Sequence, residues 1–217
     1  PVDFAEARRL LGLAAAQGYA VAQKALGDMH RDDGEGGPED FADARRLFGL
    51  AAAQGDAGAQ HNLGIMHGNG EGGPVDFAEA RRLLGLAAAQ GEADAQCMLG
   101  SLHRDGDGGP VDFAEARRLL GLAAAQGDTN AHLELGDMHR NGQGGPVDFA
   151  EARRLRGFAA AQGHAVAQCL LGSMHRIGQG GPVDLAEARR LLGSAAAQGA
   201  ADAQYILGHM HRKGEGG

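Results

Sequence analysis

The sequence predicts an all-α fold, a solenoid of stacked helix pairs. Three observations predict it. Prolines at Pro1, Pro38, Pro74, Pro110, Pro146 and Pro182 each open a copy of one pattern, 37 residues long in the first copy and 36 in the rest. Within a copy the apolar residues recur at helical spacing. Of the 38 glycines, all but Gly58 and Gly68 fall at one of six positions shared by every copy. Glycine placed so regularly marks recurring backbone geometry rather than a flexible linker. A copy this short cannot bury its own apolar face, so its neighbours must cover it. The chain is therefore read as a single repeat domain, with units 1–37, 38–73, 74–109, 110–145, 146–181 and 182–217.

The copy at 74–109 shows each element in order. Asp76 stands before an apolar-periodic run and Glu79 follows three residues later. That spacing is a capping box with aspartate as N-cap. Phe77, Ala80, Leu84, Ala87 and Ala88 share one face of the helix, and Glu79, Arg81 and Arg82 flank it as solvated surface. Gly91 ends this capped helix at the first position beyond its C-cap. Gly85 sits inside it, where glycine costs about 1 kcal/mol relative to alanine. Close approach of another backbone is the expected compensation. A second helix runs from about Ala93 to Arg104, with Ala95, Leu99, Leu102 and His103 as its apolar stripe and Gly100 permitting close packing. The run Gly106-Asp107-Gly108-Gly109-Pro110 then turns the chain into the next copy.

Composition narrows the function. Net charge is −8, with acids and Arg pairs interspersed. Nucleic-acid binding needs a basic face, so no nucleic-acid partner is expected. No apolar run reaches transmembrane length, so no membrane insertion is expected, and no signal peptide is visible. The chain opens at a repeat boundary without Met and reads as a fragment. Cys97 and Cys169 occupy the same position two copies apart. Packed helices lie roughly 8–10 Å apart, so these thiols are beyond disulfide reach. Two free thiols lean toward a reducing compartment such as the cytoplasm.

The copies can be compared with one another. Capped helices are nearly constant; residues 1–18, 74–91 and 110–127 are identical. Variation gathers on the second helix. One aligned position holds Val21, Gly58, Asp94, Asn130, Val166 and Asp202. Another holds Lys24, His61, Cys97, Leu133, Cys169 and Tyr205, and its neighbour Ala25, Asn62, Met98, Glu134, Leu170 and Ile206. A fourth holds Asp28, Ile65, Ser101, Asp137, Ser173 and His209. Spacings of three, four and seven put these on one helical face. Beside it runs an arginine ladder, Arg31, Arg104, Arg140, Arg176 and Arg212, broken by Gly68. Such a diversified, mixed-charge face suits a protein or peptide partner. Drift at unconstrained solvent positions, or a solvated salt-bridge lattice, would give the same pattern. Val166, Cys169, Ser173, Ile177, Tyr205 and His209 give the C-terminal half the apolar and aromatic character that interfaces favour.

His30, His67, His103, His139, His175 and His211 form a ladder of one histidine per copy. Roughly 8–10 Å between packed helices is too far for two members to share one ion, so no metal site is expected. Packed, neutral rings hydrogen-bonded to a loop are expected instead. Catalysis finds no support, because Cys97 and Cys169 lack a recurring base and Ser101, Ser173 and Ser194 stand in no nucleophile context. No cofactor motif is present: the glycine loops follow helices, not strands. Nothing in the repeat suggests a closed pocket for a small ligand.

Ala95-Gln96, Leu99-Gly100, Gly106, Gly108, Asp112, Phe113, Ala116, Ala123-Ala124 and Gln126-Gly127 resemble, in order, the pattern of the Sel-one-like repeat (SLR) family, a relative of the tetratricopeptide repeats. The resemblance spans the whole chain. Two departures recur: His stands for the family's Tyr after Leu-Gly, and Leu for its Trp, as at Leu119. The resemblance implies a right-handed solenoid of antiparallel helix pairs and a non-enzymatic adaptor. Its concave groove would be lined by the variable helices, including Arg31, Arg104, Arg140, Arg176 and Arg212. In the family's phase the chain opens on an orphan second helix and closes on an orphan first helix. Those ends are complementary, so head-to-tail self-association is the alternative role.

Overall fold

The structure, a computed structural model, describes residues 3–32 and 39–216. Its described residues form twelve helices and no strand. They are α1 (Phe4–Ala16), α2 (Ala20–Arg31), α3 (Phe41–Ala53), α4 (Ala57–Asn69), α5 (Phe77–Ala89), α6 (Ala93–Asp105), α7 (Phe113–Ala125), α8 (Thr129–Asn141), α9 (Phe149–Ala161), α10 (Ala165–Ile177), α11 (Leu185–Ala197) and α12 (Ala201–Lys213). They fall into two compact units, one ending at Asp112 and one beginning at Phe113. Within each unit every helix packs on the helix before and after it, as a helical repeat requires.

The odd-numbered helices begin as their capping boxes dictate. Asp3, Asp40, Asp76, Asp148 and Asp184 each accept a hydrogen bond from the amide three residues on, at 2.9–3.0 Å. Each bond satisfies an amide that the helix start leaves without an intrahelical partner. In the first unit Ala44, Phe48, Ala51, Ala59, Leu63, Met66 and Leu83 form one core cluster. In the second, Cys169, Ala188, Leu192, Ala195, Ala203 and Met210 form another. Alanine dominates both, so the helices meet closely.

Of the two glycine positions expected to allow close packing, only that of the even helices does. The mid-helix glycine of the odd helices has nothing within 4 Å of where a Cβ would stand, at Gly12, Gly49 and Gly85 alike. The expected close approach is not there: Gly12 and Gly49 open instead on hollows that lie between their helix and the next odd helix. The even helices carry the tight contact. A Cβ on Gly64 would meet Leu84 at 2.8 Å, and one on Gly172 would meet Leu192 at 2.8 Å. Phe77, placed on the apolar face by spacing, remains 38% exposed because it opens its helix.

The arginine pair also divides. Arg82 is solvated and bidentate to Glu79, at 2.7 and 2.8 Å. Arg81, read as surface, is half-buried and reaches over the end of α6 to His103 and to the Pro110 carbonyl. Its counterparts do the same. Arg45 donates to His67 Nδ1 at 2.8 Å and Arg153 to His175 Nδ1 at 2.6 Å. Arg117 and Arg189 donate to the carbonyls of Gln143 and Glu215. The Nδ1 atoms of His30 and His139 are buried with no hydrogen bond among the described residues, while His67, His103 and His175 are held through their rings by arginine. Their backbone carbonyls hold the loop, as His67 O accepts from the Asp76 amide at 2.8 Å. The last of the ladder, His211, is exposed.

A ring nitrogen that accepts from arginine cannot carry a proton. Burial, with the neighbouring arginine second, pushes His67, His139 and His175 below the ordinary histidine value. The unfolded chain then takes up protons first as pH falls. Stability is full at neutral pH, begins to fall near the unfolded value of about 6.5, and keeps falling until the folded rings protonate. Urea midpoints measured from pH 7.5 to 5 should therefore decline. Glu79, Glu151 and Glu187 are lowered by their arginine partners. Their contribution is lost at still lower pH, which separates the two effects. A midpoint that rises toward pH 5 would mean the rings are charged in the fold.

Candidate partner-binding face

The even helices place the variable residues on one side, but not all of these reach solvent. In the first unit Val21 is 56% exposed and Asp94 is exposed. Lys24 and Asp28 pair at 2.8 Å, and Asn62 donates to the other oxygen of Asp28 at 2.9 Å. His61 and Ile65 are half-buried. The His61 Nε2 is buried without a hydrogen bond, and burial lowers the pKa of the ring. Cys97 is buried, and its carbonyl accepts from the Ser101 hydroxyl at 3.1 Å.

The second unit repeats the pattern. Asn130, Arg140, Val166, Ile177, Asp202, Tyr205 and Arg212 are exposed. Leu133 packs against the cluster of Ala159, Ala160, Ala167, Leu171 and Leu191. Cys169 is buried and its carbonyl accepts from Ser173 at 3.0 Å. Burial pushes the Cys169 thiol up. Tyr205 stands 69% exposed with its ring edge-on to His209, centroids 4.6 Å apart, and Arg212 donates to His209 Nδ1. Cys97 and Cys169 therefore leave the solvent-facing set. Their helix position leans into the neighbouring pair, and only at Tyr205, on the last described helix, does it stand in solvent. Cys97 and Cys169 are not joined in a disulfide, as repeat spacing required.

The arginine ladder is stitched across copies. Arg31 pairs with Glu71 at 3.0 Å and Arg176 with Glu215 at 3.4 Å, each reaching the loop of the next copy. Arg104 instead pairs with its neighbour Asp105 at 2.8 Å. At the loop position of Glu71 and Glu215 the fifth copy has Gln179, and Arg140 is exposed.

Sequence reasoning missed a second set of residues, in the second unit. The column Gln23, Gln60 and Gln168 is buried. Each donates to a carbonyl of the preceding odd helix, at 3.2–3.3 Å, and accepts from the glutamine that ends the next odd helix, at 2.8–2.9 Å. In the fourth copy this position is His132, which stacks on Phe158 with ring centroids 4.2 Å apart and planes 5° off parallel. Gln162, deprived of its glutamine partner, accepts from the Thr129 hydroxyl at 2.9 Å. Two residues earlier in α9, Arg156 stands where the other copies have Leu or Phe. It is 1% exposed, ion-paired to Asp137 and in contact with the Met174 sulfur at 3.2 Å. The signal was in the sequence: α9 reads RLRGF where the odd helices α1, α5 and α7 read RLLGL.

Open hollows also lie between successive odd helices, floored by an even helix. One of about 450 Å³ is lined by Gly12, Gln23 and Leu47, one of about 520 Å³ by Gly49, Gln60 and Leu83. A third, of about 530 Å³, is lined by Gly121, His132 and Phe158. Periodicity alone does not reveal them, because each opens beside a mid-helix glycine.

A family model for the Sel1 repeat matches residues 1–19, 20–56, 57–92, 93–128, 129–164, 165–199 and 201–217. Among solved structures, a protective antigen of uropathogenic Escherichia coli displaying an SLR fold is 34% identical with a TM-score of 0.92, over 98% of this chain and 45% of the antigen. The chain thus spans less than half of that protein's length. A Sel1 repeat protein from Oxalobacter formigenes is 28% identical with a TM-score of 0.84, over 94% of this chain and 80% of that one. No curated protein matches the chain. No helix among the described residues is long and apolar enough to cross a membrane.

Proposed function

The chain belongs to the Sel1 repeat family, and from that premise we propose that it is a protein- or peptide-binding scaffold that uses the variable face of its even helices, the face assigned to the concave groove. Sel1 repeats generally mediate protein–protein interaction and are typically non-enzymatic scaffolds. The observation that carries the reading is the division of labour between helices. The odd helices repeat almost unchanged, while the exposed positions of the even helices vary among the copies. In the second unit those positions present Val166, Ile177 and Tyr205, at 54, 61 and 69% exposure. Large apolar and aromatic side chains held on a rigid helix are what interface anchors require.

Such a surface is read in steps by an extended peptide or a partner helix. A partner taken by affinity capture should lose well over tenfold in affinity on Tyr205→Ala, since truncating an anchoring aromatic costs about 2 kcal/mol or more. Glu6→Ala, on α1, should change little. Equal losses from the two variants, in a titration against the captured partner, would remove this face as the binding surface.

A further inference from the structure

We propose that the open hollow between α7 and α9, floored by α8, is a second binding site, selective for a planar aromatic ring that carries an N–H or O–H donor, as an indole or phenol side chain of a protein partner does. It lies apart from the even-helix face, so it neither needs that assignment nor falls with it.

Three observations carry the proposal. First, the site departs from its sister hollows at two residues on different helices that touch each other. His132 replaces the buried glutamine and Phe158 the exposed leucine, and the rings stack at 4.2 Å. Paired changes in an otherwise constant framework build something the framework lacks. Second, His132 is 5% exposed and lines the hollow. Its Nδ1 lies 2.7 Å from the Asp128 carbonyl oxygen, which can only accept, so Nδ1 carries the proton and Nε2 is an acceptor. No hydrogen bond reaches Nε2 among the described residues. Nε2 is not sealed from solvent, so a ligand that enters the hollow can donate to it. Third, the space and surface fit a ring. The hollow holds about 530 Å³, within the roughly 300–1,000 Å³ of small-ligand sites. Ala124, Leu135 and Leu155 give it apolar walls, the one charged lining residue, Arg154, is paired to Glu151, and Phe158 keeps 46% of its surface exposed. Aromatic pairs add favourable offset or edge contacts to the burial.

The test uses the whole chain and indole as probe, followed by NMR. Indole should shift the His132 imidazole nitrogens and the Gly121 amide while leaving the Gly49 amide, in a first-unit hollow, unmoved. N-methylindole, which keeps the ring and loses the donor, should bind about fivefold more weakly, the worth of one hydrogen bond. The double variant H132Q/F158L restores the residues of the other copies and so should fold, and it should abolish the shifts. N-acetyltryptophanamide should bind at least as well as free indole if the ring arrives on a protein; tighter binding of free indole would reassign the ligand to a small molecule and overturn the protein-borne source. Equal shifts at Gly49 and Gly121, equal binding of the two indoles, or undiminished binding by the double variant would each overturn the site. Tyr205→Ala should leave indole binding intact, which keeps this test separate from that of the even-helix face.

Discussion

Asp137→Ala should destabilise the chain by about 3 kcal/mol, far more than a half-exposed carboxylate usually contributes. The reason lies in its partner. Arg156 is 1% exposed, its Nε has no hydrogen bond, and one amino group rests on the Met174 sulfur. Among the described residues, Asp137 is the one carboxylate that pairs with it. Removing that carboxylate leaves a buried, uncompensated charge, and breaking a buried pair in this way costs about 3–5 kcal/mol. The low end applies because the Asp137 side chain is 44% exposed and already partly hydrated. Arg156→Leu should behave oppositely. Leucine fills this position in the other odd helices except α3, which has Phe48, and replacing a buried pair by apolar packing is often neutral or stabilising. The double variant should therefore recover most of the loss. Urea unfolding of the three variants settles it: equal, small losses for both single variants would show that Arg156 finds its compensation elsewhere.

That pair also shows where sequence reasoning reached and where it stopped. The helix starts were legible because a capping box is a contact between residues three apart, and Asp76 with Glu79 needs nothing from the rest of the fold. Which arginine of a pair is latched was not legible. Arg81 and Arg82 are about 100° apart on the helix, but only the packing of the following helix, α6, decides which one meets His103. Variation was taken as a sign of exposure, and at Cys97 and Cys169 it was not. A position can vary because its pocket accepts several shapes. The reverse held in α9, where the search for variation on the even helices passed over Arg156 and Phe158. Both were visible as departures from a constant helix, yet their meaning needed the spatial partners Asp137 and His132.

The glycines give the remaining large effect, and here two substitutions of the same kind should act with opposite sign. Gly180 has φ +75, a conformation that side chains with a Cβ adopt only at a cost of roughly 1–3 kcal/mol. It also lies against α9, so that a Cβ would collide with the Phe149 carbonyl oxygen. That neighbour is backbone at the start of a helix and cannot rotate away. Gly180→Ala should therefore cost about 3 kcal/mol or more, the sum of strain and collision. Gly157 is helical, inside α9, and nothing lies within 4 Å of its would-be Cβ. Gly157→Ala meets no obstacle and removes the entropic penalty of glycine in a helix, so it should stabilise by about 1 kcal/mol. The same gain is expected at Gly12, Gly49, Gly85, Gly121 and Gly193, where the space is equally open. These sites lie on separate helices and share no partner, so their gains should add. Thermal unfolding of Gly157→Ala, Gly180→Ala and a variant carrying all six mid-helix alanines provides the measurement. A mid-helix alanine that destabilises would show that the hollows are filled by contacts within the chain, because only then would an added methyl group have something to strike.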